Sequence, residues 1–160
     1  MRNLGVRWVA GVGLLAMAAM AQAPTAEQPE AHKPTFQLVG NMRDLMVDII
    51  YPTSDALFYV DRNPPKDDRD WSLLRGQALM LAESGNLLMM QGRARDQENW
   101  IKYSRTMIGL AQTAFRAAQA KKLDGITALN DPLSQVCIDC HYQYRPGYHR
   151  GRPPAAAPSK

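Results

Sequence analysis

Two cysteines occur in the 160-residue sequence, and both belong to the string Cys137-Ile138-Asp139-Cys140-His141, a C-x-x-C-H pattern. On a helix, residues three and four apart return to the same side, so positions 137, 140 and 141 share one face. Two thiols on one face can add to the two vinyl groups of one porphyrin. The adjacent imidazole can then reach the iron, which takes a neutral ring nitrogen. The pattern is the attachment signature for c-type haem. One covalently attached haem c is therefore the expected cofactor, with Cys137 and Cys140 as its anchors and His141 on the metal.

Other chemistries fit less well. A structural zinc site needs four ligands, and no second C-x-x-C or nearby His pair accompanies this one. A thioredoxin-like redox motif needs a βαβ setting, and no alternating strand pattern of useful length is present. A plain disulfide, in a non-haem helical protein of an export pathway, gives the His no role. There is no Ser/His/Asp set, no phosphate-cradling Gly loop and no second metal cluster, so enzyme activity is not expected.

The residues between 35 and 148 show helical periodicity. A first helix is predicted from Pro34-Thr35, with the stripe Val39, Met42, Met46, Ile49 or Ile50, Leu57 and Val60. Pro52 lies within it and predicts a kink or a brief break. Asn63-Pro64-Pro65 ends it. A second helix starts around Asp68 to Asp70, whose acids suit the positive helix end. Its stripe is Trp71, Leu74, Ala78, Leu81, Gly85 and Leu88, and Gln91-Gly92 closes it. Gly85 costs about 1 kcal/mol against Ala in mid-helix and leaves room for something bulky. A third helix runs from about Asp96 to Lys121 along Trp100, Tyr103, Met107, Leu110, Ala114 and Ala118. A fourth carries Leu123, Ile126, Leu129, Leu133, Val136, Cys140 and Tyr144, with Asp131-Pro132 as a fresh cap inside it and Pro146-Gly147 as its stop. Four amphipathic helices on short loops pack best as an all-α, antiparallel up-down-up-down four-helix bundle. Helix one then lies beside helix four, and the haem motif falls near the C-terminus.

The string Cys140-His141-Tyr142-Gln143-Tyr144-Arg145 also reads C-H-x-x-Y-R. Here the chain resembles the class II cytochromes c, the cytochrome c prime family and its low-spin Met/His relatives. The resemblance is specific in residues 137 to 145 and looser in helix one. It implies a haem held between helices one and four, with His141 as the proximal ligand. It also implies that Arg145 lies near that ligand or a haem propionate; a charge suited to a helix C-terminus is the plainer account of the same residue. High-spin relatives face the iron's other side with an apolar residue and bind gases there. Low-spin relatives supply a Met sulfur, which favours ferrous iron and suits electron transfer. The resemblance points to Met46, ahead of the Ile50-Tyr51-Pro52 stretch, as the distal ligand, with Met42 one turn earlier as the alternative. Met on a helical stripe also serves as core filler, and the sixth position stays open between these readings.

Other residues carry weaker signals. Arg43 flanks the distal stripe and can pair with a propionate. Trp71, Trp100 and Phe58 read as core aromatics, one of which can pack on a porphyrin. His149 and His32 are the remaining imidazoles. Arg145, Arg150 and Arg152 form a basic tail able to dock an acidic redox partner.

The ends read as address and tail. Arg2 and Arg7 precede and open the uncharged apolar run Trp8 to Met20, and Ala21-Gln22-Ala23 is a small-x-small cleavage site. Residues 1–23 are thus expected to be a signal peptide, 24–34 a leader, 35–148 the four-helix cytochrome domain and 149–160 a flexible tail. The apolar run falls short of the ~20 residues that span a bilayer, so no membrane anchor is expected after cleavage. Export implies an oxidising compartment, the periplasm in a diderm bacterium. Cleavage removes Arg2 and Arg7 and lowers the charge from +4 to +2. That charge, with no basic stripe among aromatics, argues against nucleic acid. The expected role is a single-electron carrier served by redox partner proteins. The alternative is a cytochrome c prime-like protein binding nitric oxide or carbon monoxide in a pocket of Met42, Met46 and Val39. The sequence leaves homodimerisation open.

Overall fold

Asn41 starts the first helix, and it does so by its side chain. Its Oδ1 accepts from the backbone N–H groups of Arg43 at 2.8 Å and Asp44 at 3.1 Å, while the Asp44 carboxylate accepts from Asn41 N–H at 3.0 Å. This reciprocal cap satisfies donors that a helix end otherwise orphans. The computed structural model describes residues 36–148, all within the unit Thr35–Lys160. The expected signal peptide, leader and tail lie outside the described residues.

Helices α1 (Met42–Asp44) and α2 (Tyr51–Phe58) are joined by a π-helical stretch, Leu45–Ile50, and the three run on as one compound helix. The expected start near Thr35 is corrected: Phe36 to Val39 are not helical, and Val39 is 95% exposed rather than part of an inner stripe. The cap at Asn41 outweighs the apolar spacing that continued past it. The helical run passes through Pro52 without a break, and its irregularity lies in the π-helical stretch just before. In that wide turn, Tyr51 N–H reaches back to Met46 O. Pro52 then falls in the first turn of α2, where a missing N–H costs little.

Three further runs follow. Helix α3 (Asp68–Met89) is capped by Asp67, which accepts from Asp70 N–H at 2.9 Å. Helix α4 (Asn99–Gln119) begins after Asp96, whose Oδ1 accepts from Glu98 N–H at 2.9 Å and Trp100 N–H at 3.0 Å. The expected fourth helix is two: α5 (Leu123–Thr127) and α6 (Asn130–Tyr144), parted at Ala128-Leu129. Among the described residues all regular structure is helical, and no helix is long and apolar enough to cross a membrane. The fold is all-α.

The core lies where the stripes meet. Leu57, Leu81, Ile126 and Leu133 are fully buried, with Ala78, Ala111 and Ala114 among them. Small residues let α3 and α4 approach closely. A Cβ built on Gly85 would stand 2.4 Å from Ile108 Cγ1 and 3.2 Å from the Ser104 carbonyl oxygen. The bulk for which Gly85 leaves room is thus Ile108.

Polar ties fasten the ends of the runs. Lys121 pairs with Asp68 at 2.5 Å, joining the end of α4 to the start of α3. Trp100 Nε1 donates to Leu88 O at 2.8 Å, joining the start of α4 to the end of α3. Arg93 Nη2 donates to Gly40 O at 3.0 Å, holding the chain ahead of α1 against the loop after α3. Asn130 Nδ2 donates to Phe58 O at 3.2 Å, joining the start of α6 to the end of α2. Helix α6 packs chiefly on α4, and α2 packs on α3. Between the compound first helix and α6 lies the cavity described next.

Candidate functional site

Helix α6 carries Cys137, Cys140 and His141, as the motif spacing requires. All three are half-buried and line a cavity of about 270 Å3. Met46, Val47, Ile50 and Tyr51 of the first helix line the same cavity, with Phe58, Tyr103, Met107 and Val136. A second cavity, about 400 Å3, shares Met46, Val47, Cys140, His141 and Arg145 with the first. Met42, Arg43, Arg95, Trp100 and Tyr144 complete much of its wall.

The structure therefore gathers most of the residues singled out by sequence. Met46 lines both cavities, whereas Met42 lines only the second. Arg145 is exposed and borders both cavities. Its backbone N–H donates to His141 O at 2.9 Å. Arg43 borders the second cavity, Phe58 the first and Trp100 the second. Trp71 lines neither; it stands with Asp68 and Lys121. Val39 is likewise absent from both walls and cannot line the pocket expected for gas binding. His32, His149, Arg150 and Arg152 lie outside the described residues.

Burial sets the protonation of the donors. Loss of water pushes the Cys137 thiol up to about 11. The same desolvation, helped by Cys137 and then by the Asp96 charge, pushes Cys140 up to about 11. Both sulfurs are therefore neutral thiols at ordinary pH. His141 is held below its usual value, first by burial and then by the nearby Arg145 charge. A neutral imidazole keeps a lone pair for a metal. The Tyr148 ring meets the imidazole edge to face at 5.2 Å between centroids.

Three features of the wall were not visible in the sequence. Arg95 is an exposed loop residue with no periodicity to mark it, yet it joins Arg43 and Arg145 around the second cavity. Ser104 lies on the Trp100–Met107 face and donates to Trp100 O at 2.8 Å. Ser54 donates to Tyr51 O at 3.0 Å. Both hydroxyls satisfy their own helix, so the first cavity keeps an apolar character despite them. The third, Asp96, stands behind the wall rather than in it; its Oδ2 accepts from the hydroxyl of the wall residue Tyr144. Only its place just before a helical stripe marked it.

The arrangement fits a largely apolar group with an acidic edge. Two neutral thiols and an imidazole stand along one helix. A thioether comes from another element, and guanidinium groups from three segments border one end. Among the described residues no three His, Cys, Asp or Glu side chains cluster to hold a bare metal ion. Comparison of the chain with models of known families, with curated proteins and with solved structures gave no match.

Proposed function

We propose that the protein is an exported c-type cytochrome, similar to the low-spin class II cytochromes c, that carries single electrons. The observation that carries the reading is the shared cavity: Cys137, Cys140 and His141 of α6 and Met46 of the first helix line one space. The end-to-end ties between α3 and α4, between α2 and α6, and between α4 and α6 support an antiparallel up-down-up-down course. Export rests on the sequence of residues 1–23, and the periplasm is the compartment it implies.

Haem, when bound, supplies a one-electron couple. Cys137 and Cys140 would hold it covalently through their sulfurs. His141 holds the iron with its free ring nitrogen. Met46, from the widened turn of the first helix, supplies the thioether, and its place on both cavity walls favours it over Met42. Arg43, Arg95 and Arg145 meet the propionate carboxylates, where guanidinium forks bind strongly. Apolar neighbours such as Ile50, Phe58 and Val136 keep water from the iron. No acid or base catalyst is needed, and redox partner proteins would exchange electrons with the bound group.

The test is the absorption spectrum of the purified protein in both oxidation states. A low-spin spectrum indifferent to carbon monoxide supports the carrier. Met46→Ala then converts it to a high-spin spectrum that shifts with the gas. Were Met42→Ala alone to do so, Met42 would be the ligand. A native high-spin spectrum that shifts with the gas would make the protein a gas binder of the cytochrome c prime kind. A colourless protein from cells competent in haem attachment would end both readings.

A further inference from the structure

Asp96 carries more contacts than a helix cap needs. Its Oδ1 accepts from Glu98 and Trp100 N–H groups, which opens α4. Its Oδ2 takes the Tyr144 hydroxyl, 48 residues away. Tyr144 is the last residue of α6 and stands one turn beyond His141. The Trp100 ring meets the Tyr144 ring edge to face at 5.0 Å, and Tyr103 does so at 6.5 Å. After Tyr144 the backbone turns to extended geometry at Arg145, and Pro146 and Gly147 follow. The final turn of α6, which bears Cys140 and His141, is therefore held on its C-terminal side by one carboxylate.

We propose that Asp96, acting through Tyr144, is a positioning residue that also sets the reduction potential of the centre on α6. This rests on the haem reading above and goes beyond it. The carboxylate lies close enough to Cys140 for its charge to act on that sulfur. A negative charge so placed favours the more positive, ferric state and lowers the potential. The Tyr144 hydroxyl withdraws part of that charge by donating to it, and the tie holds the His141 turn in register. Hydrogen bonds in the shell around a metal ligand act in this way. Asp96 is held below the usual carboxylate range, first by Tyr144 and then by Trp100 N–H, in keeping with an ionised acceptor. Arg43, Arg95 and Arg145 border the same cavity as Tyr144 and stay unchanged in the variants below.

Two conservative variants separate charge from packing. Asp96→Asn keeps an oxygen for the α4 cap and loses the charge. Tyr144→Phe keeps the ring contacts and loses the hydroxyl, leaving Oδ2 of the carboxylate without the Tyr144 donor. Redox titration of the full mature proteins should show the midpoint potential raised in Asp96→Asn and lowered in Tyr144→Phe. Thermal melts run beside it report packing. Potentials that move in the same direction, or stay still while the melting temperature falls, would reduce Asp96 to a fold clasp and overturn the inference. The wild-type spectrum keeps the two failures apart: without haem in the wild type the function reading falls first and takes this one with it. With haem present and no opposed shifts, only this inference falls.

Discussion

The two halves of the helical assembly are built on different rules. Helices α3 and α4 touch through small residues, and Gly85 admits Ile108 and the Ser104 carbonyl at distances no side chain there would allow. Ala78, Ala111, Ala114 and Ala118 line this half and are almost wholly buried. The compound first helix and α6 instead leave a cavity of about 270 Å3 between their side chains, and Val47 and Tyr51 on its rim are 47% and 65% exposed. One half is closed by protein alone. The other presents thiols, an imidazole and a thioether to a shared space. The closest approach of backbones is therefore between α3 and α4, and the candidate site lies in the pair that leaves space between its side chains.

The largest test of this division is Leu81→Ala. Leu81 is fully buried in α3. Truncating it should cost about 2–5 kcal/mol through lost burial and a residual cavity, read as a fall in the denaturation midpoint. A loss below about 1 kcal/mol, small for a buried Leu, would mean that α3 is not packed as closely as its burial implies.

Gly85→Ala comes next and has two opposed terms. Alanine gains about 1 kcal/mol over glycine within a helix. Overpacking costs about 1–3 kcal/mol. The added methyl would meet Ile108 Cγ1 at 2.4 Å, a branch atom near the helix that cannot swing away as a flexible tip would. The clash should win, with a net loss of up to about 2 kcal/mol. Gly85→Ala combined with Ile108→Ala should cost less than the sum of the two single changes, since the second removes the obstacle. Additive losses would show that α3 and α4 do not depend on this approach.

The same contrast explains what could be read from the chain before its structure. In α3 the signals agreed: acids from Asp68 to Asp70, a clean stripe and a glycine turn at Gly92, where φ is +89°. The C-x-x-C-H face on α6 followed from spacing alone. The first helix was harder because its signals conflict. Val39 keeps the apolar period, but Asn41 with Asp44 offers a cap, and a cap satisfies orphaned donors while an exposed Val satisfies nothing. The π-helical turn was illegible because stripe arguments assume 3.6 residues per turn, and Leu45–Ile50 departs from that. Leu45, absent from the expected stripe, is buried to 3% exposure, beside Met42 and Met46, which are half-buried against the core. Arg95 gave no signal, since a loop charge reaches a cavity only through the path of the chain.

The smallest expected effect tests the first helix where that misreading began. Asn41→Ala removes the oxygen that caps Arg43 and Asp44 N–H, while the Asp44 carboxylate can still hold the backbone N–H of residue 41. Loss of such a cap costs about 1 kcal/mol. The denaturation midpoint should fall by that much, and Asn41→Ser, which restores a capping oxygen, should recover most of it. Amide exchange gives the sharper reading. The Arg93 tie to Gly40 lies just before the cap and anchors the chain to the loop after α3, so unfastening should begin at Met42 and spread toward Leu45. Exchange should quicken there and stay unchanged across α3 and α4. Equal quickening in both halves would mean that they open as one unit, and the division between a closed half and a site-bearing half would not hold.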